Sequence, residues 1–376
     1  MAKVFLSLSG EGRGHATRIR AVAERLRQHH ELRIFAPGDA HAFLAPLYRD
    51  TDVRVDRIPG LRFHYTRRGS LDYLRTGRAA ATYLMRLQSL RATLDRCLQS
   101  EQPDLVITDF EPALPRAARR CGVPFVSLSH QHFLVTYDLR SLPRSLRLHA
   151  AYMGAIVRAY YSGQRATIVS SFFFPPLRRR CHQVTQVGVL LRPEVTDAVP
   201  ETGDHVVAYF RRFAGPHVLD ALASARREVR VYGLGARPRC GNLVFRAVEE
   251  RRFIEDLAGA AALVATAGNQ LVGEALWLGK PSLVMPETAN YEQYINAHFL
   301  RQSGAGDWSP AETFSAEVLD RFLAGLDGYR SRIDARHMNG LPATLRVLER
   351  FLPVQRALAP AGRTPAPVSG LAAAVA

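Results

Sequence analysis

The sequence predicts an α/β protein of two Rossmann-like domains, each built on a doubly wound parallel sheet and facing the other across a cleft. Three observations support this fold class. Short apolar runs alternate with longer amphipathic runs from end to end, as in repeated βαβ units. The chain has 376 residues, a length typical of two domains. A segment with two prolines and mixed charge, 192–204, interrupts the alternation, which then starts again.

The first predicted domain, 1–191, begins with a buried strand over 4–9, a glycine-rich turn and a helix over 15–29. Pro37 and Gly38 stop the second strand, because proline cannot donate to a sheet ladder. We predict further strands over 32–36, 53–58, 105–108, 125–129 and 166–170 from their β-branched and apolar runs. Helical spacing of apolar residues predicts helices over 40–48, 70–99, 112–121 and 143–162.

We assign 192–204 to a linker and 205–355 to the second domain, and we expect the Ala/Pro-rich tail, 356–376, to be disordered. The same apolar patterns predict strands over 205–210, 229–232, 243–246, 261–265 and 282–285. They predict helices over 216–224, 252–258, 269–278, 291–302, 316–326 and 343–351. Ligands bind at the carboxyl ends of such strands, so the cleft is the expected site.

The composition argues against several classes of protein. Four cysteines without a C-x-x-C pair indicate neither a zinc site nor a disulfide framework. The N-terminus gains glycines and charges too early for a signal peptide, and no apolar run is long enough to span a bilayer, so we expect a cytoplasmic protein. The net charge is +16, carried almost entirely by arginine. Codon bias in a GC-rich genome explains that excess of arginine, and so does a preference for anionic partners.

A glycine-rich turn follows the first strand. Gly10, Gly12 and Gly14 allow a ligand to approach the backbone closely, and the next helix directs unpaired N–H groups at it. His15 occupies the position where a dinucleotide fingerprint requires glycine, and no G-K-[ST] of a Walker A loop is present. An imidazole at a helix start is suited to act as a general base because the helix dipole disfavours its protonation. The alternative is a plain helix-start residue.

The densest polar pattern lies in 266–300. Gly268 and Asn269 open a helix whose N–H groups suit a phosphate, and Glu274 suits the two hydroxyls of a ribose. Glu292, Gln293 and Asn296 form a further cluster suited to sugar hydroxyls. Each residue alone is explained as a helix cap or a solvated face, but the whole set favours a ligand site.

These motifs resemble nucleotide-sugar glycosyltransferases of the GT-B architecture. The nearest branch contains the N-acetylglucosaminyltransferase of peptidoglycan precursor synthesis and UDP-glucuronosyltransferase-like bacterial and archaeal proteins. GEGRGHATR resembles the branch's glycine-rich acceptor loop, 187–195 resembles the entry to its donor domain, and 242–300 resembles its donor motif. The resemblance, which covers about residues 1–350, implies inverting, metal-independent hexosyl transfer from a UDP- or dTDP-sugar. The acceptor hydroxyl belongs to a lipid-linked or a small molecule.

The resemblance also implies roles for individual residues. His15 is the expected base, Asp109 its acidic partner and Glu111 the reserve base, because Asp109 ends a buried strand beside the glycine turn. The other expected roles concern the donor. Gly268 and Asn269 hold the diphosphate, which Arg192 faces, and Glu274 binds the ribose. Glu292 and Gln293 bind the transferred sugar, Phe253 and Ile254 border the base, and Arg211 with Arg212 replaces the family's glycine-serine loop. We expect no cofactor and no metal ion.

Other interpretations stay open at this stage. A nucleotide-sugar 2-epimerase shares the fold, and the basic charge permits a nucleic-acid-binding protein, although no recognition module supports one. Asp50 and Asp52 form a D-x-D pattern that we attribute to chance, and His130 and His132 suit an acceptor pocket or a structural role. Arginines interleaved with aromatic residues between 62 and 96 form either a solvated helix or a peripheral contact with the inner face of an anionic membrane.

Overall fold

The structure is a computed structural model that describes residues 1–10, 13–60, 73–160, 162–211 and 214–353. Two parallel α/β domains follow one another along the chain, as predicted. The predicted site residue Gly12, together with Arg212 and the tail 356–376, lies outside the described residues.

The first domain is built on a seven-stranded parallel sheet in the order β3-β2-β1-β4-β5-β6-β7. Its strands are β1 (Lys3–Leu8), β2 (Glu31–Ala36), β3 (Arg54–Arg57), β4 (Leu105–Asp109), β5 (Phe125–Ser129), β6 (Ala166–Ser170) and β7 (Val184–Val187). Its helices are α1 (Arg13–Leu26), α2 (Gly38–Leu47), α3 (Tyr73–Glu101), α4 (Ala113–Arg120), α5 (Phe133–Thr136) and α6 (Arg144–Tyr160). The central strands β4, β5 and β6 are buried throughout, as helices on both faces of a parallel sheet require.

The second domain carries a six-stranded parallel sheet in the order β10-β9-β8-β11-β12-β13. Its strands are β8 (Val206–Tyr209), β9 (Val229–Tyr232), β10 (Leu243–Arg246), β11 (Ala262–Ala265), β12 (Ser282–Val284) and β13 (Gly306–Trp308). The helices from the linker onward are α7 (Pro193–Thr196), α8 (Pro216–Ala223), α9 (Glu250–Ala258), α10 (Asn269–Trp277), α11 (Tyr291–Ser303), α12 (Ala316–Ala324), α13 (Leu326–Arg330) and α14 (Leu341–Glu349).

The last helix returns to the first domain. Leu341, Val347 and Leu348 of α14 belong to the same apolar core as β1, β2 and α1. The chain thus crosses between the domains a second time, and the two crossings touch: Gly340 N donates to Val189 O over 2.9 Å. A Cβ on Gly340 would lie 2.0 Å from Gly188 O, so glycine is required where the crossings meet. This return contact was not predicted from the sequence.

Candidate active site

Both sheets change winding direction at their centres. In the first domain β1 and β4 are neighbours, and Leu8 pairs with Asp109 at their carboxyl ends. In the second domain β8 and β11 are neighbours, and Tyr209 pairs with Ala265. Parallel α/β sheets bind ligands at such switch points, because the helices diverge there and leave a crevice. The glycine turn and Asp109 follow the first pair of strands, and Arg211 and Gly268 follow the second.

The structure brings together the residues predicted to be the base and its partner. His15 Nδ1 is 3.0 Å from Asp109 Oδ1, a close approach to the carboxylate without the alignment of a hydrogen bond. Asp109 is completely buried, whereas the His15 side chain keeps 12% of its surface exposed. The ring of Phe110 is nearly parallel to the imidazole, at 6.3 Å between centroids, and its backbone is left-handed with φ +55°. His15 is therefore oriented from one side and open on another.

A second cation contacts the same carboxylate. Arg18, one turn along α1 from His15, is 3% exposed and donates from Nη1 to Asp109 Oδ1 over 3.0 Å. Arg18 was not among the residues predicted from the sequence to lie in the site. Its spacing of three residues from His15 places both side chains on one face of α1, and that spacing is the signal that could have found it.

The expectation that Glu111 is a reserve base is wrong. Its carboxylate accepts hydrogen bonds from the backbone N–H groups of Ala113 and Leu114, at 2.7 and 2.9 Å, and so caps α4. Burial raises the pKa of Glu111, although those two amides oppose the shift. Both carboxylate oxygens thus accept hydrogen bonds within the domain interior.

The N-terminus of α10 faces the first domain. The space beside Gly268 is open: among the described residues, apart from its chain neighbours, no atom lies within 4 Å of where a Cβ on this glycine would be. No side chain of the N-cap residue caps the helix. Asn269 uses its side chain to join the domains, since Oδ1 accepts from Phe172 N and Nδ2 donates to Ser170 O, both over 3.2 Å. Gly14 on α1 approaches the same helix, because a Cβ on Gly14 would lie 3.8 Å from the Cβ of Gln270. An anion beside Gly268 would meet free N–H groups and the positive helix end.

A polar cluster spans the cleft between β5 and α11. His130 Nε2 lies 3.0 Å from Asn296 Oδ1, and Asn296 Nδ2 donates to Ala267 O over 2.9 Å. Gln131 Nε2 donates to Glu292 over 3.1 Å, so the two domains are joined next to the start of α11. The Glu292 side chain stays 34% exposed and available to a ligand. Gln293 is less available because its Oε1 accepts from Glu287 N over 2.8 Å.

Both histidines of this cluster are buried. Burial lowers the pKa of His130, and it lowers the pKa of His132 to about 4. His132 Nδ1 lies 2.7 Å from the Ser129 hydroxyl, inside the first domain. The structure therefore gives His130 a role in joining the domains and His132 a role in the domain interior.

Two of the residues predicted to bind the donor form an ion pair with each other. Arg192 is 7% exposed and contacts Glu250 at 3.0 Å and Glu274 at 3.4 Å, so it does not face an open diphosphate site. Glu274 is 2% exposed, and its second oxygen accepts from Gln270 Nε2 over 3.0 Å. The ribose pocket expected beside Glu274 is filled by the Arg192 guanidinium, so a ribose can contact Glu274 only after that pair separates.

The side chains expected to border the base are also buried. Phe253 is 6% exposed and packs edge-on against Tyr209 and Tyr232, with ring centroids 5.7 and 5.0 Å apart. Ile254 is 1% exposed. Their apolar spacing on α9 reflects core packing, and their predicted place beside the base stays a prediction. Arg211 lies half-buried directly after β8, at the switch point where it was expected.

Two further features bear on function. Asp50 and Asp52 lie exposed in the turn before β3, and the described residues contain no group of three or more His, Cys, Asp or Glu side chains placed to hold a metal ion. None of the helices in the described ranges combines the length and the hydropathy that a membrane-spanning helix needs.

Comparison with known proteins agrees with this geometry. Residues 2–327 match the model of glycosyl transferase family 1. An uncharacterized glycosyltransferase of Methanosarcina acetivorans is 24% identical over 362 residues, which cover 88% of this chain and 92% of that protein. MurG of Acinetobacter baumannii has the same fold with a TM-score of 0.60 and 16% identity, covering 93% of this chain and all of that one.

A plant enzyme extends the comparison. UGT2 of Phytolacca americana, solved with UDP-2-fluoroglucose and pterostilbene, has a TM-score of 0.64 and 15% identity, covering 93% of this chain and all of that one. These likenesses confirm the predicted architecture of two facing domains. The chain belongs to glycosyl transferase family 1 and is a glycosyltransferase of the GT-B type.

Proposed function

We propose that this enzyme moves a hexosyl group from a UDP-sugar, or a dTDP-sugar, to a hydroxyl acceptor with inversion at the anomeric carbon and without a metal ion. One observation carries the proposal: His15, 3.0 Å from the buried Asp109, follows the switch point of one sheet, and the uncapped N-terminus of α10 follows that of the other. A base and an anion site thus lie on the two sides of one cleft.

The residues support a direct displacement. In this proposal the His15 proton is held on Nδ1, 3.0 Å from Asp109 Oδ1, so that Nε2 keeps a lone pair and takes the acceptor's proton. The acceptor oxygen forms a bond to the anomeric carbon while the bond to the diphosphate breaks, so the sugar changes configuration. The N–H groups at the start of α10 stabilise the charge that develops on the departing diphosphate. Asp109 stabilises the imidazolium that results.

The donor side of the proposal assigns the sugar to the start of α11. Glu292 keeps exposed carboxylate surface beside Gln131, which suits hydrogen bonds to sugar hydroxyls. We assign the ribose to Glu274, whose partner Arg192 then moves aside. The UDP donor follows from the resemblance to UDP-sugar enzymes.

The acceptor side of the proposal favours a lipid-linked molecule. Arg144, Leu148 and Tyr152 repeat every four residues along one exposed stripe of α6, and Leu148 and Tyr152 expose 65% and 68% of their surface. On α3, Met85 is 75% exposed beside the exposed Arg86, whereas Tyr83 faces the core. Apolar side chains set among arginines suit the interface of an anionic bilayer.

The transfer reaction is tested by UDP release and product mass spectrometry with UDP- and dTDP-sugars, in the presence of lipid and small-molecule extracts. We expect UDP release to depend on an acceptor, whereas a 2-epimerase converts its donor without one. His15→Ala should lower turnover at least about a hundredfold with little change in donor affinity, because general-base catalysis is lost. The matched control is His29→Ala, because His29 is an exposed histidine just beyond the end of α1. Near-normal turnover of His15→Ala would contradict the assignment.

The membrane contact is tested by vesicle flotation. We expect the protein to float with vesicles that contain phosphatidylglycerol and to stay behind with pure phosphatidylcholine. The double variant Leu148→Ser, Tyr152→Ser should lose flotation while its UDP affinity is unchanged. Equal flotation of the variant and the wild type would reject α6 as the contact surface.

A further inference from the structure

A cavity lies between the domains on the side where the chain returns to the first domain. Its volume is about 550 Å³, which is within the range of small-molecule binding sites. The segment after β6, 172–176, forms one wall, and the ends of α10 and α11 form a second. Residues of 332–338, between α13 and α14, form the third. A ligand in this cavity would therefore contact both domains and the returning chain.

The apolar lining of the cavity is largely aromatic. Phe172, Phe173, Phe299 and Met338 line it and are buried. The rings of Phe173 and Phe299 stack across the domain boundary with their centroids 4.2 Å apart, and Phe172 lies edge-on to Phe173. Phe174 also lines the cavity and keeps 38% of its surface exposed. Aromatic rings pair favourably with other rings in offset-stacked and edge-on geometry, so this lining favours an aromatic ligand.

The charged groups on the lining favour an anion. Asp138 and Asp334 each bind a neighbouring arginine, since Asp138 accepts from Arg140 at 2.5 Å and Asp334 accepts from Arg336 at 2.7 Å. The exposed side chain of Arg332, in contrast, makes no ion pair or hydrogen bond with any residue that the structure describes. A guanidinium binds a carboxylate through two parallel N–H groups, so Arg332 suits a carboxylate supplied by a ligand.

The cavity is separate from the transfer site that we propose. Ser303, on its lining, lies eleven residues along α11 from Glu292, which is about 16 Å at the rise of an α-helix. The strand β6, which leads into Phe172, is three strands away from β1, or about 14 Å across the sheet. A small ligand in the cavity therefore reaches neither Glu292 nor the glycine turn that precedes His15.

We infer that this cavity binds an aromatic carboxylate, with its rings among Phe172, Phe173 and Phe299 and its carboxylate paired with Arg332. Burial of the rings supplies most of the affinity, whereas the ion pair selects for the charge of the ligand. The net charge of +16 adds a long-range attraction for anions. The inference does not depend on the proposed transfer reaction.

Isothermal calorimetry with 2-naphthylacetic acid tests the inference. The matched ligand is 2-naphthylacetamide, which has the same rings without the charge, and we expect it to bind about fivefold more weakly. Arg332→Gln should weaken binding of the acid about fivefold and leave binding of the amide unchanged. The matched control is Arg321→Gln, which removes an exposed arginine of α12 and should change neither affinity. Absence of binding of the acid at millimolar concentration, or equal affinities of Arg332→Gln and the wild type, overturns the inference.

A variant that obstructs the cavity shows where the acid binds. Ser141 is an exposed residue of the lining, just before α6, and its side chain makes no hydrogen bond within the described ranges. Ser141→Trp should weaken binding of the acid at least about tenfold, because the indole occupies the space of the ligand's rings. Saturating UDP should leave the affinity for the acid unchanged. Displacement of the acid by UDP, or unchanged affinity in Ser141→Trp, would place the acid elsewhere and overturn the inference.

Discussion

Single residues in this site carry charge while they are buried. Asp109, Glu274, Arg18 and Arg192 are each less than 8% exposed, and each contacts an opposite charge. Pairing offsets much of the cost of removing these charges from water, and removal of one partner leaves the other uncompensated. The cleft therefore holds preformed electrostatic contacts that a ligand must either use or replace.

We expect Glu274→Gln to weaken UDP binding about tenfold, because an amide accepts less strongly from ribose hydroxyls than a carboxylate does. Isothermal calorimetry with UDP measures the change. Glu250→Gln is the matched control, since Glu250 also contacts Arg192 but has no proposed ligand role, and its affinity for UDP should stay within about twofold. Equal affinity of Glu274→Gln and the wild type would exclude the ribose role.

The residues that sequence reasoning placed correctly lie at the ends of buried strands. Asp109 ends β4 and His15 follows β1. Because neighbouring parallel strands end at the same edge of the sheet, their ends lie close together independently of the loop conformations. The pairing of Arg192 with Glu274 could not be predicted in this way, because it depends on the path of the linker. Phe253 shows another limit: an aromatic residue on α9 has the same apolar spacing in a core as it has beside a base.

Among the elements, α10 borders both the cleft and the linker. Its N-terminus is open to the cleft, and one face docks on the linker, where Gln270 Nε2 donates to Leu190 O over 3.0 Å. Gly273 lies against Val189 so closely that a Cβ would be 2.3 Å from the valine Cγ1. The helix that we propose to hold the diphosphate is therefore packed directly on the segment that connects the domains.

We expect Gly273→Ala to lower the free energy of unfolding by about 1–3 kcal/mol, because the added methyl overlaps the fully buried Val189. Urea denaturation measures it. In a Val189→Ala background the two overlapping Cγ atoms are gone and only the Cβ, 3.0 Å away, remains, so Gly273→Ala should cost markedly less stability than in the wild type. The same loss in both backgrounds would show that the contact with Val189 is not the cause.

The element pattern was predictable where strands are central and apolar. The strands over 125–129, 166–170, 229–232 and 243–246 have the predicted bounds. The sheet edges β7 and β13 were missed, since VTQV is only partly buried and GDW has three residues with no apolar alternation. The helix predicted over 316–326 ends at Ala324, and α13 starts beyond Gly325.

At the scale of the whole molecule, the two domains are joined by polar contacts as well as by the chain. Arg20 of α1 donates to Glu194 of α7 over 2.5 Å and to Glu250 of α9 over 2.7 Å. Glu250 also contacts Arg192, so one network links the first domain, the linker and the second domain. Since α1 carries His15 and α10 carries the anion site, this network helps to set the distance between base and donor.

We expect Arg20→Gln to lower the free energy of unfolding by about 1–2 kcal/mol, because Glu194 and Glu250 then lose a shared, largely buried partner. The matched control is Arg27→Gln on the same helical segment, whose partner Glu24 is only three residues away in sequence, so it removes an ion pair without touching the interface. Its effect should stay within about 0.5 kcal/mol. Urea denaturation compares the free energies of unfolding of the two variants. If adding Glu250→Gln to Arg20→Gln restores stability, the loss is due to the unpaired carboxylate. If both arginine variants lose the same stability, the contact between the domains contributes nothing beyond an ordinary surface pair.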